Sequence, residues 1–257
     1  MNPPRRAQAG GQARESRLAW LRARLDADGS VSVADASASL GASAMTIRRD
    51  LGTLEALGEV RRTRGGAQAV GGALFKNRSP RNTRAKITIA EKLLAMVPTV
   101  GAIAIDSSST MAYLANLLPA ARDLLVVTNG LEAFESLQDR PGVRAVLTGG
   151  ERDPRTGSLI GSAAAAVGRS YRYDVAFVSS AAVDPVHGAC EVTLEEAAMV
   201  QAFAGQARRV VLGADVSKLE ASAAVISLRW GDIDTVVTEL GPDSARVAPL
   251  RAVTEVR

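Results

Sequence analysis

The chain has 257 residues, 47% of them hydrophobic and 23% charged, which provides for one large or two modest domains with a substantial core. Its single cysteine, Cys190, excludes an intramolecular disulfide, and with His187 as the only histidine no Cys/His zinc cluster can form, so neither a metal nor another cofactor is expected. The net charge of +4 is unevenly spread: residues 1–80 hold 13 Lys and Arg against 7 Asp and Glu, a net of +6, while the remainder holds 18 against 20, a net of −2.

A basic first part followed by a slightly acidic second part suggests that only the first meets a polyanion. No run of about 18 apolar residues marks a membrane span, and the opening MNPPRRAQAGGQARES lacks the apolar segment of a secretory signal. A cytoplasmic protein without a membrane partner is expected, with residues 1–13 as a disordered leader.

From residue 14 the chain reads as a small helical domain ending near residue 70. Leu18, Leu21 and Leu25 recur at helical spacing until Asp28-Gly29 ends the pattern. Ser32 with Asp35 three residues later opens a second helix that stops at Gly41. Residues 43–51, SAMTIRRDL, form a third. Ser43 is a good N-cap, and Ile47, Leu51 and Leu54 make one apolar stripe. At about 100° per residue, Met45 and Arg49 point away from that stripe, with Thr46 and Arg48 on its flanks. Such a slim basic face enters a major groove, where arginine pairs with guanine and an apolar side chain touches the thymine methyl. Taken alone the stretch also fits a solvated amphipathic helix. The preceding helix and turn fit a helix-turn-helix, and LGEVRRTRGGAQAV, with Arg61, Arg62 and Arg64 before a Gly65-Gly66 turn, fits a two-stranded wing beside it.

Residues 71–84, rich in Gly, Asn, Ser, Pro and basic side chains, read as a linker. A helix is expected from about residue 82 to before Pro98. Beyond it short apolar runs alternate with helical segments, the signature of a largely parallel α/β sheet spanning the rest of the 85–257 domain. Strands are expected at 102–105, 124–127, 143–147, 175–178, 210–212, 224–226 and 235–237. Helices are expected after Ser109, near Leu131, after Ser162 and over 195–206.

The first of these strands runs into Asp106, Ser107, Ser108, Ser109 and Thr110 and then into a helix, a junction that suits an anion. A serine run is also ordinary loop and cap composition. Asn129, Gly149-Gly150, Asp215 and Lys218 follow other strands; together they fit a pocket at the carboxyl ends of the sheet, although for the two glycines turn chemistry is the better reading. His187 lies in a DPVHG turn, Cys190 reads as a packed thiol, and Glu195 and Glu196 fit a solvated helix face as well as a pocket. None forms a triad, so no catalytic residue is assigned.

The motifs TIRRDL (46–51), RRTRGGA (61–67), KITIA (86–90), IDSSST (105–110), VTN (127–129), LTGG (147–150), SLIG (158–161), YDVAF (173–177) and ADVSK (214–218) occur in an order that resembles the DeoR family of bacterial transcriptional regulators, over roughly residues 14–240. The resemblance implies a winged helix-turn-helix that binds double-stranded operator DNA as a repressor of carbohydrate or related genes. It further implies a Rossmann-like sensor domain, related to sugar-phosphate isomerases, that binds a phosphorylated sugar or similar effector, in a homo-oligomer. The DNA-contacting set is then Ser43, Met45, Thr46, Arg48, Arg49, Arg61, Arg62 and Arg64, and the effector set Asp106, Ser107, Ser108, Ser109, Thr110, Asn129, Asp215 and Lys218. The chain departs from the family pattern at Ser108, where the family has a glycine that tolerates positive φ, and at Ser109, Arg64, Ala182 and Val200-Gln201. Two alternatives remain: a sugar-phosphate enzyme of isomerase type, using Asp184 or Glu196 as acid or base, and a regulator whose sensor has lost or changed its ligand.

Overall fold

The computed structural model describes residues 5–57, 59–69, 82–241 and 243–257, with side chains from Arg14 onward except at 26 and 27. The chain divides into two compact units, residues 1–78 and 79–257. Of the expected leader, residues 1–4 lie outside the described residues and 5–13 enter the first helix; of the expected linker, 71–81 lie outside them.

The first unit runs α1 (Arg5–Asp28), β1 (Ser30–Ser32), α2 (Val33–Leu40), α3 (Ala44–Ala56), β2 (Val60–Thr63) and β3 (Gly66–Ala69). Leu21 and Leu25 of α1 meet Ile47, Leu51 and Leu54 of α3 in one core, joined by Val31, Val33, Ala36, Val60 and Ala67. Helix boundaries follow local chemistry: the Ser32 hydroxyl accepts from the Asp35 amide at the start of α2, and Gly41 ends it at φ 57°. β1, β3 and β2 form an antiparallel sheet in that order. Gly66 is required where β3 meets β1, because a Cβ there would lie 1.9 Å from the Val31 carbonyl oxygen.

The second unit runs α4 (Thr83–Leu94), β4 (Val100–Ile105), α5 (Ser109–Leu117), β5 (Asp123–Thr128), α6 (Leu131–Leu137), β6 (Val143–Leu147), β7 (Glu151–Arg152), β8 (Leu159–Ile160), α7 (Ser162–Arg169), β9 (Val175–Val178), β10 (Ala182–Asp184), β11 (Gly188–Glu191), α8 (Leu194–Ala204), β12 (Val210–Gly213), α9 (Val216–Leu219), β13 (Val225–Leu228), β14 (Thr235–Val237), α10 (Ala248–Arg251) and β15 (Glu255–Val256). Seven strands make one parallel sheet in the order β15-β14-β12-β9-β4-β5-β6. Strand alternation divides the core into two layers. Ile103 and Ile105 of β4 join Ile89, Leu93, Met111 and Leu114 on one face. Ala104 between them joins Ala164, Met199 and Phe203 on the other.

Six of the seven expected strands lie in this sheet. The seventh does not: β13 pairs antiparallel with β11, which pairs with β10, in a separate three-stranded sheet. An apolar run specifies a buried strand but not its partner. The DPVHG turn is the tip of the β10–β11 hairpin, where the Asp184 carboxylate accepts from the Val186 and His187 amides, both at 2.8 Å. β10 and β11 themselves lack a β-branched run and gave no strand signal. Chain order reverses at β4: β5 and β6 lie to one side, β9, β12 and β14 to the other. The β4/β9 boundary is thus the topological switch point, outside whose carboxyl end ligands of open α/β sheets gather.

Candidate functional site

In the first unit the arginines fall into two groups. The four α1 arginines with described side chains are committed to acids: Arg17 Nε donates to Asp50 Oδ2 at 2.7 Å, Arg14 Nε lies 3.7 Å from Asp50 Oδ1, Arg22 holds Glu59 through two 2.7 Å bonds, and Arg24 pairs with Asp28. Arg22 holds the Glu59 carboxyl below its usual range by that hydrogen bond. Arg48 and Arg49 of α3 and Arg61, Arg62 and Arg64 of the wing are exposed and have no ion-pair partner among the described residues. Unpaired cations gathered on one helix and its neighbouring hairpin are what a phosphate backbone neutralises.

The remaining residues of the basic element present these arginines. The Ser43 hydroxyl accepts from the Thr46 amide at 3.2 Å and lies 2.9 Å from the Thr46 hydroxyl, so both side chains are used in closing the first turn of α3. Met45 is 72% exposed on the outer face. Asp50, inside the TIRRDL motif, is only 1% exposed; it ties α3 to α1, while the Glu55 carboxylate accepts from the Arg62 amide and ties α3 to the wing. Sequence reasoning missed Asp50, because its partners Arg17 and Arg14 lie far back along the chain, in a different helix.

In the second unit the loop after β4 occupies the switch point. The Asp106 carboxylate accepts from the Ser108 amide at 2.8 Å through one oxygen and from the Ser179 amide at 2.6 Å through the other, bridging the ends of β4 and β9. Ser108 has φ −71° and ψ 154°, and its hydroxyl accepts from the Met111 amide as the N-cap of α5. A side chain is therefore accommodated where positive φ seemed to be needed. Ser109 and Thr110 begin α5 and are buried. The Ser107 hydroxyl donates to that of Ser158 at 2.7 Å, and Asn129 Nδ2 lies 3.4 Å from Ser107 Oγ while donating to the Leu159 carbonyl at 3.0 Å. Asp106 to Thr110 and Asn129 thus form one cluster.

Asp215 and Lys218 lie at the end of β12, beyond β9. Asp215 is 1% exposed and caps α9; its Oδ1 accepts from the Ser217 amide at 3.0 Å, from the Ser217 hydroxyl and from Asn82 Nδ2 at 3.0 Å. These bonds organise the turn after β12 and the start of α4. Lys218 is half-buried in α9. Gly149 and Gly150 take φ 66° and 101°, and a Cβ on Gly150 would lie 2.5 Å from the Ile160 carbonyl oxygen, which favours the turn reading. Ser158, Ser179 and Ser180 belong to this neighbourhood although the sequence did not single them out. The only signals for them were the SLIG motif and a serine pair directly after a strand.

The groups considered for catalysis are engaged elsewhere. Glu196 lies in the first turn of α8, where its carboxylate accepts from the Thr193 hydroxyl at 3.4 Å, and the Asp184 carboxyl is held below its ordinary range by the His187 amide. Cys190 is buried, which raises its thiol pKa. Among the described residues no group of three or more His, Cys, Asp or Glu side chains could hold a metal, and no helix is long and apolar enough to cross a membrane.

Comparison with known proteins places these two units in a common context. Residues 17–71 match the DeoR-like helix-turn-helix domain and residues 81–240 the DeoR C terminal sensor domain. The lactose phosphotransferase system repressor of Lactococcus lactis subsp. lactis is 30% identical over 88% of this chain and 91% of its own length. The HTH-type transcriptional regulator GlpR of Haloferax volcanii is 30% identical over 90% and 92% of the two chains. The HTH-type transcriptional repressor CsqR of Escherichia coli K12 is 29% identical over 80% of each. Among solved structures, ribose 5-phosphate isomerase A of Methanocaldococcus jannaschii aligns over 53% of this chain and 54% of its own at 15% identity and a TM-score of 0.37.

Proposed function

The chain belongs to the DeoR family of transcriptional regulators, and on that premise we propose that it represses carbohydrate or related metabolic genes and leaves its operator when a phosphorylated sugar or similar metabolite binds the second unit. The observation that carries the DNA half is the division of the described arginines: Arg14, Arg17, Arg22 and Arg24 of α1 are neutralised by Asp50, Glu59 and Asp28, while those of α3 and the wing are not. Arg48, Arg49 and Met45 read bases; Arg61, Arg62 and Arg64 take phosphates. Ser43 and Thr46 fix the helix end that approaches the duplex.

On the effector side, the N-terminus of α5 at Ser109 and Thr110 offers backbone amides to an anion, and Lys218 supplies positive charge from α9, after β12. Asp106 and Asp215 act by holding these loops, since each carboxylate already accepts backbone donors. Ser107, Ser108 and Asn129 complete the wall. Repression is relieved only if the effector binds the DNA-free arrangement more tightly than the DNA-bound one. The engaged Asp184 and Glu196 argue against an isomerase, and the ordinary backbone at Ser108 against a sensor that has lost its ligand. A homo-oligomer in the cytoplasm, with the DNA-binding domain ending near residue 70, completes the reading.

The test is an anisotropy titration of the DNA upstream of the gene, at fixed salt, with and without a panel of sugar phosphates. Arg49→Ala lowers operator affinity without changing the melting temperature, and Lys218→Ala leaves operator affinity intact but removes the response to the effector. Wild-type operator affinity in Arg49→Ala, or conversion of a sugar phosphate by the protein, rejects the proposal.

A further inference from the structure

Three buried side-chain oxygens have no hydrogen-bond partner among the described residues: Ser37 Oγ in α2, and Asn129 Oδ1 and Ser180 Oγ in the second unit. The last two lie on either side of the switch point. Asn129 directly follows β5 and Ser180 lies two residues past β9, the two strands that flank β4. Both are more than nine-tenths buried, at 2% and 7% exposure. Ile105 of β4 is in register with Thr128 on one side and Phe177 on the other, so Asn129 lies one residue and Ser180 three residues beyond that level, an offset of roughly 7 Å along the strand direction. Neighbouring strands are about 4.8 Å apart, so β5 and β9 are roughly 10 Å apart and, with that offset, the two backbones roughly 12 Å, and Ser107 and Ser158 lie near Asn129 in the same cluster.

The chemistry of Asn129 is fixed by its other bonds. Nδ2 donates to the Leu159 carbonyl, and the Leu159 amide donates back to the Asn129 carbonyl at 2.9 Å. Turning the side-chain amide over would set Oδ1 against the Leu159 oxygen, so Oδ1 stays where it is and acts only as an acceptor. An acceptor needs an O–H or N–H donor, and the ionised oxygens of a phosphate carry none. The Ser180 hydroxyl can donate or accept. A buried polar atom with no partner destabilises the fold by its full desolvation cost unless something binds it.

We propose that Asn129 Oδ1 and Ser180 Oγ form a subsite for the uncharged, hydroxyl- or amine-bearing part of the effector, separate from the anion-binding turn at the start of α5. It rests on the reading of the second unit as a phosphorylated-ligand sensor and assigns the two ends of that ligand: phosphate at α5, polyol between the ends of β5 and β9. The ligand class is thus a polyhydroxylated or amino-bearing phosphate ester rather than a bare anion, and selectivity among sugars comes from the donors that reach these two oxygens.

The experiment uses the full chain, its Ser180→Ala variant and, as a second probe of the same subsite, Asn129→Ala. Each is titrated calorimetrically with inorganic phosphate, with pentose and hexose phosphates and with the corresponding free sugars. Each protein is also melted without ligand. Ser180→Ala is expected to weaken binding of a sugar phosphate about tenfold, the worth of one neutral hydrogen bond at the upper end, to leave inorganic phosphate binding unchanged, and to melt no lower than wild type. Sugar-phosphate affinity unchanged in both variants overturns the subsite and leaves the sensor reading standing. A lowered melting temperature of Ser180→Ala also overturns it, because the hydroxyl would then already be bonded within the fold. Free sugars that bind and are weakened by Ser180→Ala uphold the subsite but reject the phosphorylated effector. Binding of no compound by any of the three proteins rejects both.

Discussion

Replacing Arg17 by alanine removes the 2.7 Å partner of an aspartate that is 1% exposed and sits in the helix proposed to read DNA. Arg14 remains 3.7 Å from the other carboxylate oxygen, but its side chain is half exposed and its charge is largely screened by water. Breaking a buried pair from one side costs about 3–5 kcal/mol; with Arg17 itself 21% exposed and Arg14 left behind, about 3 kcal/mol is expected. Asp50→Asn keeps the shape and lets Arg17 return to solvent, so it costs only about 1 kcal/mol. The assay is urea unfolding followed by Trp20, which packs against the core of the first unit, in a Trp230→Phe background that silences the other tryptophan. A cost for Arg17→Ala no larger than for Asp50→Asn refutes the reasoning, since the buried carboxylate would then have found another partner.

Three other perturbations follow from the geometry. Replacing Arg61, Arg62 and Arg64 together by alanine makes the dependence of log K for DNA on log salt shallower by about 0.9 for each phosphate that is no longer neutralised; an unchanged slope shows that the wing does not touch DNA. Gly130→Ala would place a Cβ 2.9 Å from Ser107 Cα, an overpacking cost of about 1–3 kcal/mol. It is expected to impair the effector response while DNA binding without effector stays normal, and an unaltered response argues that the Ser107 loop is not part of the site. The Glu59 carboxyl has a folded pKa below its unfolded one, so the Arg22 pair stabilises above that unfolded value and the gain is lost as pH falls through the depressed one. Thermal melts of wild type and Glu59→Gln, followed from neutral pH into acid, should converge at the acid end; curves that stay parallel contradict this.

Local chemistry was legible where a few neighbouring residues decide the outcome. Ser43 caps α3, Ile47, Leu51 and Leu54 are buried, Gly41 ends α2 in the left-handed region, and all seven expected strands fall where the apolar runs were. The loop after β4 was also found, because a strand running straight into serines and a helix is a local pattern. Comparison with the family pattern, which has a glycine there, suggested a conflict between side chain and backbone at Ser108, whereas the hydroxyl caps α5 at an ordinary φ.

What residue order determined by itself was therefore the kind of most segments and the basic face of α3, since helical and strand periodicity and end-capping are set within a few positions. Tertiary structure alone decided which segments became partners. It set β13 against β11 instead of in the parallel sheet, buried Asp50 beneath Arg17, and brought Ser158 and Ser179 to the switch point with Asp106 and Asn129. Such pairings join residues tens of positions apart, and which polar group is satisfied depends on the partner that arrives, which no local pattern carries.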